Sequence, residues 1–354
     1  MLYFFCTIFL LLLLNIIETI IKDKGSNSNL FKVGSFLIVF ALYIFADIQK
    51  FPDLEYYSSL FDNASRVSWS QLDDLSHYEI EYKFELGWCA LVKFFSLFLP
   101  NSRWHIEVVH LIIMICMWSF VFKNSKNPCL SVILFLLCIF YNSIFVIRQN
   151  LVVAVCYCSL PLILERKFKE FLIVIILLMQ IHTSAIVFLP MYFLINVKIN
   201  KKYILLLVTL AVLIYTFMDQ LIYLLAVNVP WYGNAAVSNE MLSEGEDASN
   251  STTLLISASI FIFAFAITRL KGLTKIEYLL VHGLLLAILI NSARIGSFAS
   301  LGRLATYFYN GVIVLIPNVC DRIHSKPIKY VAIVSIVCLY AYGAYRSLNY
   351  GYHW

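Results

Sequence analysis

Charge is scarce in this chain. Asp, Glu, Lys and Arg make up 13% of its 354 residues, about half the share found in soluble globular domains. Hydrophobic residues make up 61%, and the mean hydropathy is +0.83. A soluble fold cannot cover that much apolar surface, so a soluble domain is excluded. Glycine is sparse, at 12 residues, and forms no phosphate-cradling loop and no dinucleotide fingerprint. That absence argues against a nucleotide-fuelled pump and against an enzyme fed by nucleotide sugars. The short alternating segments of a β-barrel are missing, as is an internal repeat of the transporter kind. Cysteine is present in nine copies, nearly all inside apolar runs, as at Cys6, Cys116, Cys138, Cys156, Cys158 and Cys338. Buried thiols acting as small hydrophobes account for them, and Cys156-x-Cys158 lacks the spacing and partners of a zinc or redox site.

What the chain does have is long apolar runs, each able to cross a hydrocarbon core of about 30 Å as a helix. Candidate spans are 2–21, 33–47, 107–122, 129–147, 151–164, 171–181, 184–195, 203–226, 254–268, 276–290, 304–317 and 328–346. The first run has no basic stretch before it and no small-residue cleavage site after it, so it reads as a retained anchor. The expected fold is an all-α polytopic integral membrane protein, a single transmembrane domain over 1–354 with about 12 spans.

Lys and Arg collect in short loops, as they do on the cytoplasmic side of membrane proteins. These loops carry Lys22/Lys24/Lys32, Lys123/Lys126, Arg166/Lys167/Lys169, Lys198/Lys201/Lys202, Arg269/Lys271/Lys275 and Arg322/Lys326/Lys329. Placing them inside puts 48–106, 148–150, 182–183, 227–253 and 291–303 outside. Parity then requires that the apolar stretch 86–99, interrupted by Lys93, does not cross; it is expected to be a helix in the outer interface. The alternative is a true span with one exception to the charge rule. Residues 171–195 are too short for two full spans and are expected to form two short helices turning at His182-Thr183, in a protein-lined region. The outer loop 227–253, with Glu240, Glu244, Glu246 and Asp247, reads as a mobile lid or a solvated surface. The net charge of +5 follows from this topology, and no nucleic-acid partner is expected.

The remaining ionisable groups are few and lie on the outer side. Asp53 follows Pro52 at the start of a predicted short helix, where a carboxylate is held ionised; it would accept a proton from a sugar hydroxyl, or simply cap the helix. Glu79, Glu81 and Glu85 precede the interfacial helix and would solvate the surface, unless Glu81 or Glu85 holds a metal ion or an acceptor sugar. Arg148, in Ile147-Arg148-Gln149-Asn150, interrupts two apolar runs, where a guanidinium either pairs with a phosphate or snorkels. His182 marks the tip of a helical hairpin. Arg294 and Arg303 flank a small-residue loop, with Arg303 placed at a helix N-terminus that favours anions; Tyr307 and Phe308, one turn on, would line a sugar or lipid groove. A carboxylate, two or three arginines and a histidine on one side fit transfer of a sugar from a polyprenyl phosphate or diphosphate, whose leaving group is anionic.

The order and spacing of several short motifs resemble the EpsG family of Wzy-like exopolysaccharide polymerases. They are Pro52-Asp53-x-x-Tyr56, Glu85-x-Gly87-Trp88, Ile147-Arg148-Gln149, His182-Thr183-Ser184-Ala185 with Leu189-Pro190-x-Tyr192, and Gly302-Arg303-x-x-x-Tyr307-Phe308. One difference is Asn-Leu-Val-Val-Ala at 150–154, where such families often carry Gln-Leu-Ala. The opening Pro-Asp-x-x-Tyr, interfacial helix and span also resemble the first module of GT-C glycosyltransferases. The resemblance implies catalytic roles for Asp53 and His182. It places Arg148, Gln149, Arg303, Arg294, Tyr56, Glu81, Glu85 and Tyr307 on the substrate or its diphosphate. It also implies joining of undecaprenyl-diphosphate-linked oligosaccharides at the outer face of a bacterial inner membrane, for capsule, exopolysaccharide or O-antigen. A flippase and a chain-length regulator would be its partners. No cofactor is implied, and a divalent metal is left open. Competing readings are a flippase or transporter of the same lipid-linked glycan, a polysaccharide O-acyltransferase and a single-sugar transferase.

Overall fold

The computed structural model describes residues 2–23, 29–47, 50–76, 84–217, 220, 247–293 and 299–350, and every element among them is helical. In chain order the helices are α1 (Leu2–Asp23), α2 (Leu30–Ile44), α3 (Pro52–Arg66), α4 (Leu72–Ser76), α5 (Leu86–Ser96), α6 (Ser102–Asn124), α7 (Pro128–Phe135), α8 (Tyr141–Phe145), α9 (Ile147–Cys158), α10 (Leu160–Leu164) and α11 (Phe168–Met179). After them come α12 (Met191–Leu194), α13 (Lys201–Thr216), α14 (Asp247–Thr268), α15 (Lys275–Ala293), α16 (Ala299–Tyr309), α17 (Val312–Asp321) and α18 (Lys326–Tyr350). Among the described residues, six stretches are long and apolar enough to cross a membrane: Phe5–Asp23, Ser102–Asn124, Pro128–Phe145, Ile147–Leu164, Lys275–Ser292 and Lys326–Tyr345. Shorter apolar helices accompany them at Leu30–Ile44, Leu86–Ser96, Thr183–Leu194, Thr253–Thr268 and Val312–Asp321. The chain is thus a helical protein of the multi-pass membrane kind.

Local chemistry sets the ends of these helices. Asn101 and Asn127 cap α6 and α7 with their side-chain oxygens, and Pro128 opens α7 where its missing N–H costs nothing. A π-helical turn at Leu136–Phe140 joins α7 to α8, and Val146 (φ −84°, ψ 55°) separates α8 from α9. At 11 residues, α5 is about 16 Å long, too short to cross the bilayer alone. The expected span 304–317 is corrected: α16 ends at Tyr309 and α17 begins at Val312. The buried Asn310 and Gly311 sit at this junction and break the run into two short helices.

The chain groups into two compact units, one of 1–186 with 323–354 and one of 187–322. In the first, α6 packs against α9, α2 and α3, while α5 lies on α3 and α18 lies on α7 and the π turn. In the second, α15 is central, contacted by α12, α13, α14, α16 and α17. There the buried His282 lies between Tyr203 and Tyr278 and donates through Nε2 to the Val197 carbonyl, 3.0 Å away. The acidic loop expected at 227–253 lies outside the described residues up to 246; from Asp247 it belongs to α14.

Candidate active site

In the first unit, scarce charges from distant parts of the chain meet at Glu85. Glu85 is the N-cap residue of α5 with extended backbone (φ −65°, ψ 139°), yet its carboxylate does not cap its own helix. Instead Oε2 accepts from Arg148 Nη1 at 2.5 Å. Oε1 accepts from the Thr183 N–H at 2.8 Å, from Thr183 Oγ1 at 3.0 Å and from His182 Nδ1 at 3.3 Å. Three distant pieces of chain therefore share one carboxylate.

Gly87 makes this meeting possible. A Cβ at that position would collide with the Gln180 side chain and lie 2.6 Å from its carbonyl oxygen. Without one, the first turn of α5 docks on the end of α11, where the Trp88 N–H donates to the Gln180 carbonyl at 2.9 Å. That bond satisfies a carbonyl left over at a helix C-terminus. It also sets Glu85 beside the 182–183 turn, which gives the Glu85-x-Gly87-Trp88 motif its physical meaning.

Arg148 sits at the second position of α9 with its side chain 15% exposed. Its guanidinium lies over the Phe84 ring, 4.7 Å from the centroid, and 5.8 Å from the centroid of Tyr57. Nε points to the Tyr57 hydroxyl at 3.4 Å. Aromatic faces and one carboxylate hold the cation in place, while Nη2 makes no hydrogen bond among the described residues. A donor on a fixed, partly buried guanidinium suits an anionic oxygen.

Burial alone would push the Glu85 carboxyl up. The hydrogen bond from His182, the Arg148 charge and the Thr183 N–H outweigh it and hold the pKa at about 2. Glu85 is thus an ionised acceptor, so His182 carries its hydrogen on Nδ1. Nε2, on the far side of the ring, is the nitrogen left to a ligand. The side chain of His182 is 27% exposed, enough to meet a ligand.

The other predicted positions fall as follows. Asp53 lies in the first turn of α3, half-buried, one helical turn before the buried Tyr57. Positions i and i+4 share a helix face, so Asp53 occupies the edge of the face that brings Tyr57 to Arg148. Tyr56, expected on the substrate, is half-buried beside that face; Tyr57 is the residue at the cluster. Gln149 is buried. Glu85, expected with Glu81 either to solvate the surface or to hold a metal ion or an acceptor sugar, has both oxygens engaged by donors. Among the described residues no group of three His, Cys, Asp or Glu side chains could hold a metal. Arg303 and Tyr307 belong to the second unit. Arg303 is exposed and sits in the second turn of α16, a correction to its expected place at a helix N-terminus, because α16 already begins at Ala299. Tyr307 is fully buried. Glu81 and Arg294 lie outside the described residues.

Sequence reasoning missed Tyr57, Phe84 and the backbone of Thr183. Tyr57 was signalled only by its four-residue spacing from Asp53, and Phe84 only by its adjacency to Glu85.

The EpsG family model matches residues 35–352, nearly the whole chain. No curated protein and no solved structure matches. The chain therefore belongs to the EpsG family, a family of Wzy-like polymerases.

Proposed function

We propose that this protein joins oligosaccharide repeat units carried on undecaprenyl diphosphate, at the outer face of a bacterial inner membrane, in the synthesis of a capsule, exopolysaccharide or O-antigen. The observation that carries the reading is the cluster on Glu85. Arg148 and His182 are tethered to the two oxygens of one carboxylate, and among the described residues Arg148 Nη2 and His182 Nε2 make no hydrogen bond. In this reading the acceptor hydroxyl attacks the anomeric carbon of the donor as Asp53 takes its proton. The bond from that carbon to the diphosphate oxygen breaks, and the electron pair leaves with the diphosphate. Arg148 meets the charge that develops there, where fixed donors act most strongly, and His182 joins it as an imidazolium that donates through Nε2. The energy comes from the donor bond, so no nucleotide is required. The arrangement of Asp53 ahead of α5 and α6 is GT-C-like in this account.

The test uses purified protein in liposomes with the repeat unit on undecaprenyl diphosphate, reading release of free undecaprenyl diphosphate. Release by the wild type and its loss in Asp53→Asn supports the enzyme. Repeat units that cross the bilayer intact, with no release, would replace the enzyme with a transporter.

A further inference from the structure

Arg148 owes its place to a break in a helix. α8 stops at Phe145, Val146 leaves helical geometry, and α9 restarts at Ile147. A break of this kind frees carbonyls that a continuous helix would bond. His110 takes the one at Ile144, and Asn150 adds a second bond to the Val146 and Asn142 carbonyls, which the N–H groups of Asn150 and Val146 already bond. His110 Nε2 lies 3.1 Å from the Ile144 carbonyl. Asn150 Nδ2 donates to the carbonyls of Val146 at 2.9 Å and Asn142 at 3.3 Å. Since a carbonyl only accepts, His110 carries a hydrogen on Nε2.

The relay continues from the other side of the ring. His110 Nδ1 is 3.5 Å from Glu107 Oε2, and Glu107 Oε1 is 2.7 Å from Arg103 Nη2. Arg103 in turn donates to the carbonyls of Tyr43, Ile44 and Ala46 at the end of α2. The Tyr43 ring stacks on His110 at 4.3 Å, and its hydroxyl bonds Ser143 in α8. One network, buried at Tyr43, Glu107, His110 and Asn150 and partly exposed at Arg103, thus ties the chain leading into Pro52-Asp53 to the break that precedes Arg148. Among the described residues none of its hydrogen bonds reaches Glu85 or Arg148. As packing alone it is uneconomical: an unbroken apolar helix with leucine at 110 would avoid burying a charged relay.

We propose that His110 and Asn150 are positioning residues, holding the broken backbone at 144–147 so that Arg148 reaches Glu85 and the donor diphosphate. The inference rests on the reading of Arg148 as the diphosphate-binding group. It is tested with undecaprenyl diphosphate as the probe, titrated into protein in nanodiscs, together with hydrogen exchange of the amides at 146–150. His110→Leu should weaken binding about ten-fold, as expected for losing one hydrogen bond at a buried carbonyl, and speed exchange at 146–150. His110→Gln, which keeps a donor, should restore both. In an Arg148→Gln background His110→Leu should cost no further affinity, because coupled residues are not additive. An equal further loss in that background, or unchanged exchange at 146–150 in His110→Leu, overturns the proposal. If Arg148→Gln itself binds the probe as the wild type does, the diphosphate reading falls, and the exchange measurement alone decides the positioning claim.

Discussion

Glu85 and Arg148 stand 63 residues apart in sequence and 2.5 Å apart in space. In a chain with so little charge, that pair is the point around which the other chemistry gathers. Its partners, His182 and Thr183, reach the same carboxylate from a third segment.

Arg148→Lys should lower turnover roughly 100-fold, the scale of removing one fixed donor from a developing oxyanion. An ammonium cannot span Glu85, the Tyr57 hydroxyl and a phosphate oxygen at once. Steady-state release of undecaprenyl diphosphate checks this; wild-type turnover in the variant would reduce Arg148 to an anchor.

Asp53→Asn should lower kcat by at least about 100-fold while leaving membrane abundance and affinity for undecaprenyl diphosphate unchanged. His182→Asn should lower both kcat and that affinity, because the proposed function puts His182, and not Asp53, on the diphosphate. Binding and turnover measured on both variants separate the roles.

Gly87→Ala tests how the site is assembled. The new methyl would meet the Gln180 backbone, which cannot give way as a flexible side chain would. A cost of about 1–3 kcal/mol is expected for such overpacking, together with a fall in turnover as Glu85 moves from the 182–183 turn. Thermal unfolding in detergent alongside the release assay measures both.

Acid should act through Glu85 in a defined window. Its folded pKa of about 2 lies below the ordinary 4.5. Its stabilising contribution is therefore complete above 4.5 and lost as pH falls toward 2. The Tm difference between wild type and Glu85→Gln should be constant above about pH 5 and shrink below it. A difference that stays constant down to pH 3 would contradict the depressed pKa.

Much of the site was legible because charge is costly in an apolar chain: Asp53, Glu85, Arg148 and His182 each stood out for that reason. That Arg148 and His182 share the Glu85 carboxylate was not legible, since it depends on Gly87 letting α5 close on Gln180, a contact between residues 93 apart with no signature beyond one glycine. The register of α3 put Tyr57 rather than Tyr56 on Arg148, a difference of one residue that motif spacing does not resolve. Span limits shifted for a similar reason. α6 starts at Ser102 rather than 107 because Asn101 caps it there and Arg103 and Glu107 form an ion pair one turn apart within the helix. The run at 304–317 read as one span because Asn310 and Gly311 are too brief an interruption to register in hydropathy.

The most direct measurement supplies wild type and Glu85→Gln, each in liposomes, with the repeat unit on undecaprenyl diphosphate and resolves the products on a gel. A ladder at repeat-unit intervals from the wild type, absent from Glu85→Gln protein of equal abundance, is the predicted result. An equal ladder from both would contradict the central claim that the Glu85 cluster is the catalytic centre.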